Sequence, residues 1–259
     1  MLRRILIKLS DAAIFYGNNP AHVFSRFIDP KKLFVAPNSL DTIKLREHYK
    51  ELKEIGIVQI KNDLNNKSRY NLIYLARLLP SKLPDLLPEI VLKLGKYINL
   101  EDFMFHIIGD GPEKKILQEK IKTLSLENYF TMHGAVYDNA SIGRQLFISD
   151  MIVNPGRLGL SLCHGFCYNI PTITFISDNE GPYHAPETEF LTNESTGFTI
   201  DDFNIEAMAK QISTYLTDEH LREIIRQNIT QLIDEKYNVK EMIKGFKSAI
   251  EYTVLKDDR

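Results

Sequence analysis

From residue 70 onward, short apolar runs alternate with longer stretches in which apolar positions recur every three to four residues. The runs predict strands at 71–76, 103–108, 129–133, 151–154, 171–176 and 196–200. The stretches between them predict helices at about 84–97, 113–124, 139–148 and 161–168. Such alternation implies βαβ units, hence an α/β fold with a parallel sheet covered by helices on both faces. Three amphipathic stretches close the chain. Ile205, Met208, Ala209, Ile212 and Leu216 stripe the first; Leu221, Ile224, Ile225, Leu232 and Ile233 the second; Val239, Met242, Ile243, Phe246, Ala249 and Ile250 the third. They are core stripes with no cofactor chemistry in them.

Before residue 70 the pattern is less regular. Residues 1–10 form an amphipathic helix with Leu2, Ile5, Leu6 and Leu9 on one face and Arg3, Arg4 and Lys8 elsewhere. A basic helix of this kind either packs on its own protein, the commoner case, or lies on a membrane surface. A strand at 12–16, a turn at 17–20 and a strand at 33–36 follow, and residues 41–68 read as a charged helix running into an exposed loop at 62–67. No internal repeat and no low-complexity segment interrupts the chain.

Composition narrows the function classes. The chain has 259 residues, 44% hydrophobic and 25% charged, as in an ordinary globular protein. A net charge of −2 offers no bulk attraction to nucleic acid or to anionic lipid. Cys163 and Cys167 lie four apart on one face of a predicted helix, a spacing of core thiols in a reducing compartment. With His164 they also read as metal ligands, but no fourth ligand stands at zinc-site spacing. No apolar run reaches the ~18 residues of a membrane-spanning helix, and no signal peptide is evident, so the expected location is the cytoplasm.

The chemistry concentrates in residues 154–171, NPGRLGLSLCHGFCYNIP. A strand runs through Pro155-Gly156 and Gly159 into a short helix bearing Ser161 and, three residues on, His164. Bared amides and the helix dipole at such a junction favour a phosphate. The same residues equally make a tight strand–helix turn with a structural His. Asn169 is a left-handed helix stop, and Pro171 opens the next strand.

Ligands of open parallel sheets bind at the carboxyl ends of the strands, where three further segments fall. Arg77 and Lys82 follow one strand, and two cations five apart suit a diphosphate or are simply solvated. Gly109-Asp110-Gly111-Pro112 turns another strand into a helix. His133-Gly134-Ala135-Val136 offers backbone groups that could read a base. Beyond them, Glu187 and Glu189 would share one face of an extended segment, holding sugar hydroxyls or facing water, and His184 reads as a solvated loop residue. No Walker loop, Gly-x-Gly-x-x-Gly, His-Glu-x-x-His or Gly-x-Ser-x-Gly is present.

Taken together, these segments resemble the C-terminal, donor-binding half of a GT-B glycosyltransferase of the GT4 type. Asn38-Ser39-Leu40-Asp41 is similar to the family's Asn-Gly-Val-Asp, Ala76-Arg77-Leu78…Lys82 to its Gly-Arg-Leu…Lys, and Gly109-Asp110-Gly111-Pro112 to its Gly-Asp-Gly-Pro. Gly159-Leu160-Ser161…Ile170-Pro171 resembles its Gly-Leu-Pro…Pro-Val, and Glu189 with Thr196-Gly197 its Pro-Glu-Ile-Val…Gly. The family carries two glutamates eight positions apart; here Gly156 and His164 stand there, as in a branch of surface-polysaccharide enzymes with Pro-Gly-x-x-Gly-Leu and His.

The resemblance implies a Rossmann-like domain over 38–236, a remnant of an N-terminal acceptor domain and linker over 1–37, and a helix crossing back over 237–259. It implies retaining transfer of a sugar from a uridine or guanosine diphosphate donor to a saccharide or lipid-linked acceptor, without cofactor or metal. Arg77, Lys82 and His164 are the expected catalytic residues; Gly111, Gly134, Val136, Gly156, Gly159, Leu160, Ser161, Glu187 and Glu189 are the expected donor contacts. Expected partners are the donor, the acceptor and a separate N-terminal domain, with no nucleic acid and at most peripheral membrane contact. The alternatives are a module that binds nucleotide sugar but transfers nothing alone, and a degenerate structural partner.

Overall fold

The computed structural model describes residues 2–176 and 184–257. The chain begins with α1 (Leu2–Leu9), β1 (Ala13–Phe15), α2 (Asn18–Ser25) and β2 (Leu33–Val35), and β1 and β2 pair in parallel as a small sheet of their own. Then α3 (Thr42–Ile55) and α4 (Ile57–Asp63) lead into β3 (Tyr70–Leu75), α5 (Leu87–Leu94), β4 (Phe103–Ile108), α6 (Lys114–Thr123), β5 (Phe130–Gly134), α7 (Asn139–Ile148), β6 (Met151–Val153), α8 (Ser161–Cys167), β7 (Thr172–Ile176) and β8 (Gly197–Asp201). Three helices finish it: α9 (Ile205–Thr217), α10 (Glu219–Glu235) and α11 (Val239–Asp257).

Strands β3 to β8 form one parallel sheet in the order β5-β4-β3-β6-β7-β8. The chain therefore winds outward from β3 to β5, crosses back through α7, and winds the other way from β6 to β8. The crossing makes a topological switch point between β3 and β6, where ligands of such sheets sit. Helices cover both faces, so Leu72, Ile73, Phe105, Ile107, Ile152, Val153, Ile173 and Phe175 are wholly or almost wholly buried. That is why these strands read as continuous apolar runs without alternation. Local capping starts the helices. Asp41, Asp138, Asn204 and Asp218 each accept a first-turn amide at the head of α3, α7, α9 and α10.

Four sequence expectations need correction. The turn expected at 17–20 opens a helix, α2, with Pro20 tolerated in its first turn. Residues 41–68 form two helices, not one, because Gly56 takes φ 89°, where the helix cannot continue. The following loop is not merely exposed, since Asn66 donates to Asn71 at 2.7 Å. Finally, the helix expected at 84–97 begins with a 3-10 turn, Pro84–Leu86, and is α-helical only over α5.

The amino-terminal layer is held on by distant residues. Gly245 of α11 lies so close to Val35 and Ala36 that a methyl group there would overlap their backbone. Phe34 meets Tyr252 with ring centroids 5.4 Å apart. Helix α1 buries none of its residues; Arg4 stacks on the Phe27 ring at 3.7 Å, while Leu2, Leu6 and Leu9 stay exposed. Helix α1 thus touches the rest of the chain through Arg4, and Lys32 donates to the Ser10 carbonyl just past its end, but it buries no apolar face there.

Candidate functional site

Three loops at the carboxyl ends of β3, β4 and β6 are laced together. The Leu78 amide donates to Asp110 at 3.0 Å, and the Glu113 amide donates to Leu78 at 3.1 Å. Any side chain at Gly109 or Gly111 would overlap the carbonyls of Ala76 or Leu78. The Gly111 N–H is taken by Asp110 at 2.8 Å. Gly111 therefore spaces the two loops instead of offering its amide to a ligand.

The β3 and β6 loops meet at the switch point. The Arg157 amide donates to Ser81 at 2.8 Å, and the Lys82 ammonium donates to the Arg157 carbonyl. Gly156 lies buried beneath the Lys82 backbone, which would overlap any side chain at that position. So Gly156, expected as a donor contact, is a packing position with no room for a side chain. Lys82 is held below the ordinary lysine range by burial and by Arg157, an effect that Glu187 opposes. Leu83, the next residue, takes a left-handed conformation at φ 50° directly before Pro84, which is strained backbone. Arg77 is exposed beside this junction.

After Gly156 the chain enters α8. The Leu158 amide donates to His184 Nδ1 at 3.0 Å, and His184 Nε2 donates to the Phe175 carbonyl at 2.7 Å. The expected solvated histidine is thus half-buried and pinned, and burial holds it below the ordinary imidazole value. Among the described residues the Gly159, Leu160 and Ser161 amides have no backbone partner, and a side chain at Gly159 would meet nothing within 4 Å. One turn on, His164 is buried, and burial draws its pKa down to about 4. It is a neutral ring whose Nε2 has no partner among the described residues.

The two glutamates separate. Residues Pro186–Phe190 form a 3-10 turn, not an extended segment, so the pair does not share a face. Glu187 is buried and accepts from the Asn38 side chain, while its Oε2 has no partner among the described residues. Glu189 turns away and caps α2, accepting the amides of Asn18 at 2.9 Å and Asn19 at 3.1 Å. Glu189 is therefore a helix cap that ties the amino-terminal layer down, with both oxygens engaged.

Past β5, a cavity of about 300 Å³ is lined by Ile108, His133, Val136, Ser141, Arg144 and Gln145, with Leu64 beside them. Gln145 Oε1 is buried there without a partner. Behind His133 runs a polar chain that sequence reading missed. Asn66 donates to Asn71 at 2.7 Å and reaches His106 Nε2 at 3.1 Å; His106 Nδ1 meets His133 Nε2 at 3.2 Å. Burial holds the His106 pKa near 3, with His133 and Lys61 adding to the effect, so the ring is neutral. The same Nε2 also lies 3.3 Å from Asn71 Oδ1, so either ring nitrogen of His106 has a hydrogen-bond partner whichever carries the proton. Gly134, at φ 71°, ends β5 here, and a side chain on it would meet nothing within 4 Å.

Cys163 and Cys167 are free and buried. A hydrogen bond between the two thiols holds Cys163 down and, with burial, pushes Cys167 up. Among the described residues no three His, Cys, Asp or Glu side chains gather as a metal site, and no helix is long and apolar enough to cross a membrane.

Known proteins share this architecture. A glycosyltransferase of Rickettsia africae superposes with a TM-score of 0.76 at 19% identity, over 96% of this chain and 66% of its own. Anabaena HepE in complex with UDP gives 0.73 at 16% identity, over 93% of this chain and 64% of its own. The C-terminal domain of a group 1 glycosyl transferase from Francisella tularensis, LpcC, gives 0.58 at 20% identity, over 70% of this chain and 92% of that one. In sequence, the N-acetyl-alpha-D-glucosaminyl L-malate synthase of Bacillus anthracis is 22% identical over 174 residues, 66% of this chain and 43% of that protein. A Campylobacter jejuni N-acetyl-D-galactosaminyltransferase acting on an undecaprenol-linked saccharide is 21% identical over 240 residues, 89% of this chain and 57% of its own. The chain spans between 31% and 57% of the length of the curated relatives it matches. The fold is that of GT-B glycosyltransferases, and the match to Glycosyl transferases group 1 runs over residues 58–232. By that match this chain belongs to the group 1 glycosyl transferase family.

Proposed function

We propose that this chain is the donor-binding part of a retaining glycosyltransferase of the GT4 type. It takes a uridine or guanosine diphosphate sugar and passes the sugar to a saccharide or lipid-linked acceptor in cytoplasmic surface-polysaccharide synthesis. The observation that carries this reading is the junction of the β3 and β6 loops: the Arg157 carbonyl holds Lys82, the Gly159 to Ser161 amides that follow have no backbone partner among the described residues, and Arg77 is exposed on the β3 loop. Cations and fixed amides stabilise the diphosphate as it leaves with negative charge, so the transfer needs no metal. His164 remains neutral and offers its unpartnered Nε2 to the donor ribose or phosphate. The base fills the cavity beside His133 and Val136, and the free oxygen of Glu187 accepts a sugar hydroxyl. UDP in the HepE complex and the lipid-linked substrate of the Campylobacter relative support the ligand classes.

The acceptor side comes from an N-terminal domain that docks on α1, β1, β2 and α11. Leu2, Leu6, Leu9, Ile243, Ile250 and Val254 are all exposed in these helices, a wide apolar surface for a partner layer. Titration calorimetry with uridine and guanosine diphosphates tests the donor reading. One of them binds, and Arg77→Ala weakens it at least tenfold, as loss of a forked phosphate contact requires. Absence of binding by either nucleotide overturns the reading, and unchanged affinity in His164→Ala removes His164 from it. A second reading is a module that binds the donor without transferring sugar. Sugar transfer by the 259-residue chain alone excludes it.

A further inference from the structure

The opposite pole of the sheet holds a larger cavity, of about 720 Å³, that the donor reading does not use. It lies under the amino ends of β3, β6 and β7, where Arg69, Asp150 and Ile170 lead into the strands, and α10 forms one wall. Five cations line it, Lys53, Lys61, Arg69, Arg222 and Arg226, against two carboxylates, Asp150 and Glu223. Both carboxylates are occupied. Arg222 donates to one oxygen of Asp150, and the Asn71 amide donates to the other at 2.8 Å. Glu223 accepts from Gln227 at 2.8 Å.

The single charge of Asp150 is shared among Arg222, Lys61 and Arg226, and the Lys61 ammonium also donates to the Ser68 carbonyl at 2.8 Å. Among the described residues the Arg69 and Arg226 guanidinium groups form neither a hydrogen bond nor an ion pair; Arg69 lies 5.0 Å from the Tyr70 ring centre. Arg222 Nε is buried without a partner. Burial draws Lys61 below the ordinary lysine range, with Arg222 adding to the effect against the pull of Asp150. The whole chain carries a net charge of −2, so this concentration of positive charge does not follow from composition. Gathering cations where water is partly excluded costs free energy that a bound anion recovers. Facing the cations is an aromatic corner. Tyr49 meets Phe147 and Tyr168 edge-on, each with centroids 5.9 Å apart.

We propose that this groove is a second binding site, for a phosphoryl-bearing anion with an apolar or ring-bearing body. Arg69 and Arg226 fork the phosphoryl oxygens, and the Tyr49 corner takes the body. The site stands apart from the donor loops, which occupy the carboxyl ends of the same strands.

Two probes separate a soluble ligand from a lipid headgroup: inorganic pyrophosphate by calorimetry, and phosphatidylglycerol vesicles by co-sedimentation, with phosphatidylcholine vesicles as reference. Each is measured on the full chain, on Arg69→Gln/Arg226→Gln and on Arg77→Gln. The expected result is binding of at least one probe that weakens tenfold or more in the groove variant and persists in Arg77→Gln. Loss with pyrophosphate assigns a soluble phosphoryl ligand; loss with vesicles alone assigns a lipid headgroup. The charge-keeping variant Arg69→Lys/Arg226→Lys retains part of the binding, and circular dichroism unchanged from the parent chain excludes misfolding. Binding equal in the parent chain and the groove variant, or absent for both probes, overturns the proposal.

Discussion

The six-stranded sheet and the two-stranded one are built alike and end differently. Both are parallel, and both arise from short apolar runs. In β3 five of six residues are buried, whereas β1 and β2 contain none. The difference lies in what covers them. Parallel strands need helices on both faces, and the large sheet has them. The small sheet has α2 and α11 beside it, while Ile14, Tyr16, Val23 and Phe27 remain exposed. Apolar sequence makes a core only where a second layer arrives to cover it. The larger region has both of its covering layers; the smaller leaves part of its apolar surface uncovered.

Three measurements would break or sharpen this contrast. The largest effect is on the large sheet. His106 and His164 have folded pKa values near 3 and 4, below the ordinary imidazole value of 6.5. Below pH 6.5 the unfolded chain binds protons that the folded chain refuses, so stability is full above that pH and falls as the pH drops toward 4. The two rings together cost on the order of 5 kcal/mol at pH 4. Urea unfolding at pH 7 and at low pH, with His164→Phe as the comparison, reads the loss; an equal pH dependence in that variant rules out the His164 share.

Next comes the small sheet. Gly245→Val pushes α11 off β2 and costs about 2 kcal/mol. Hydrogen exchange then accelerates across β1 and β2 while nucleotide affinity stays unchanged. If nucleotide affinity falls as well, the two regions are not separable. The smallest effect is at the tie between them. Glu189→Ala removes the α2 cap and costs about 1 kcal/mol. Faster proteolysis within residues 18–25, with the large sheet still protected, is the expected sign; protection unchanged in α2 removes Glu189 from that role.

Much of this was legible in the chain. The strand at 103–108 stands where its apolar run predicts, and Asn169 stops α8 at φ 58° as its residue type suggests. Helix α2 was not legible, because its cap, Glu189, lies 171 residues away from Asn18. The polar chain from Asn71 through His106 to His133 was equally hidden. Each residue looks ordinary in its own strand, and only the pairing of β3, β4 and β5 sets them side by side.

By itself the sequence determined the order of strands and helices from residue 70 onward, the carboxyl-end loops and the residue types in them. Those follow from local periodicity and turn chemistry, which act over a few neighbours. Only the tertiary structure decided which of Glu187 and Glu189 keeps a free oxygen, that Gly156 lies under Lys82, and that cations gather at the pole away from the donor loops. The reason is that desolvation and hydrogen bonding act between groups the crossing at α7 brings together, and the sequence distance between such groups carries no trace of it.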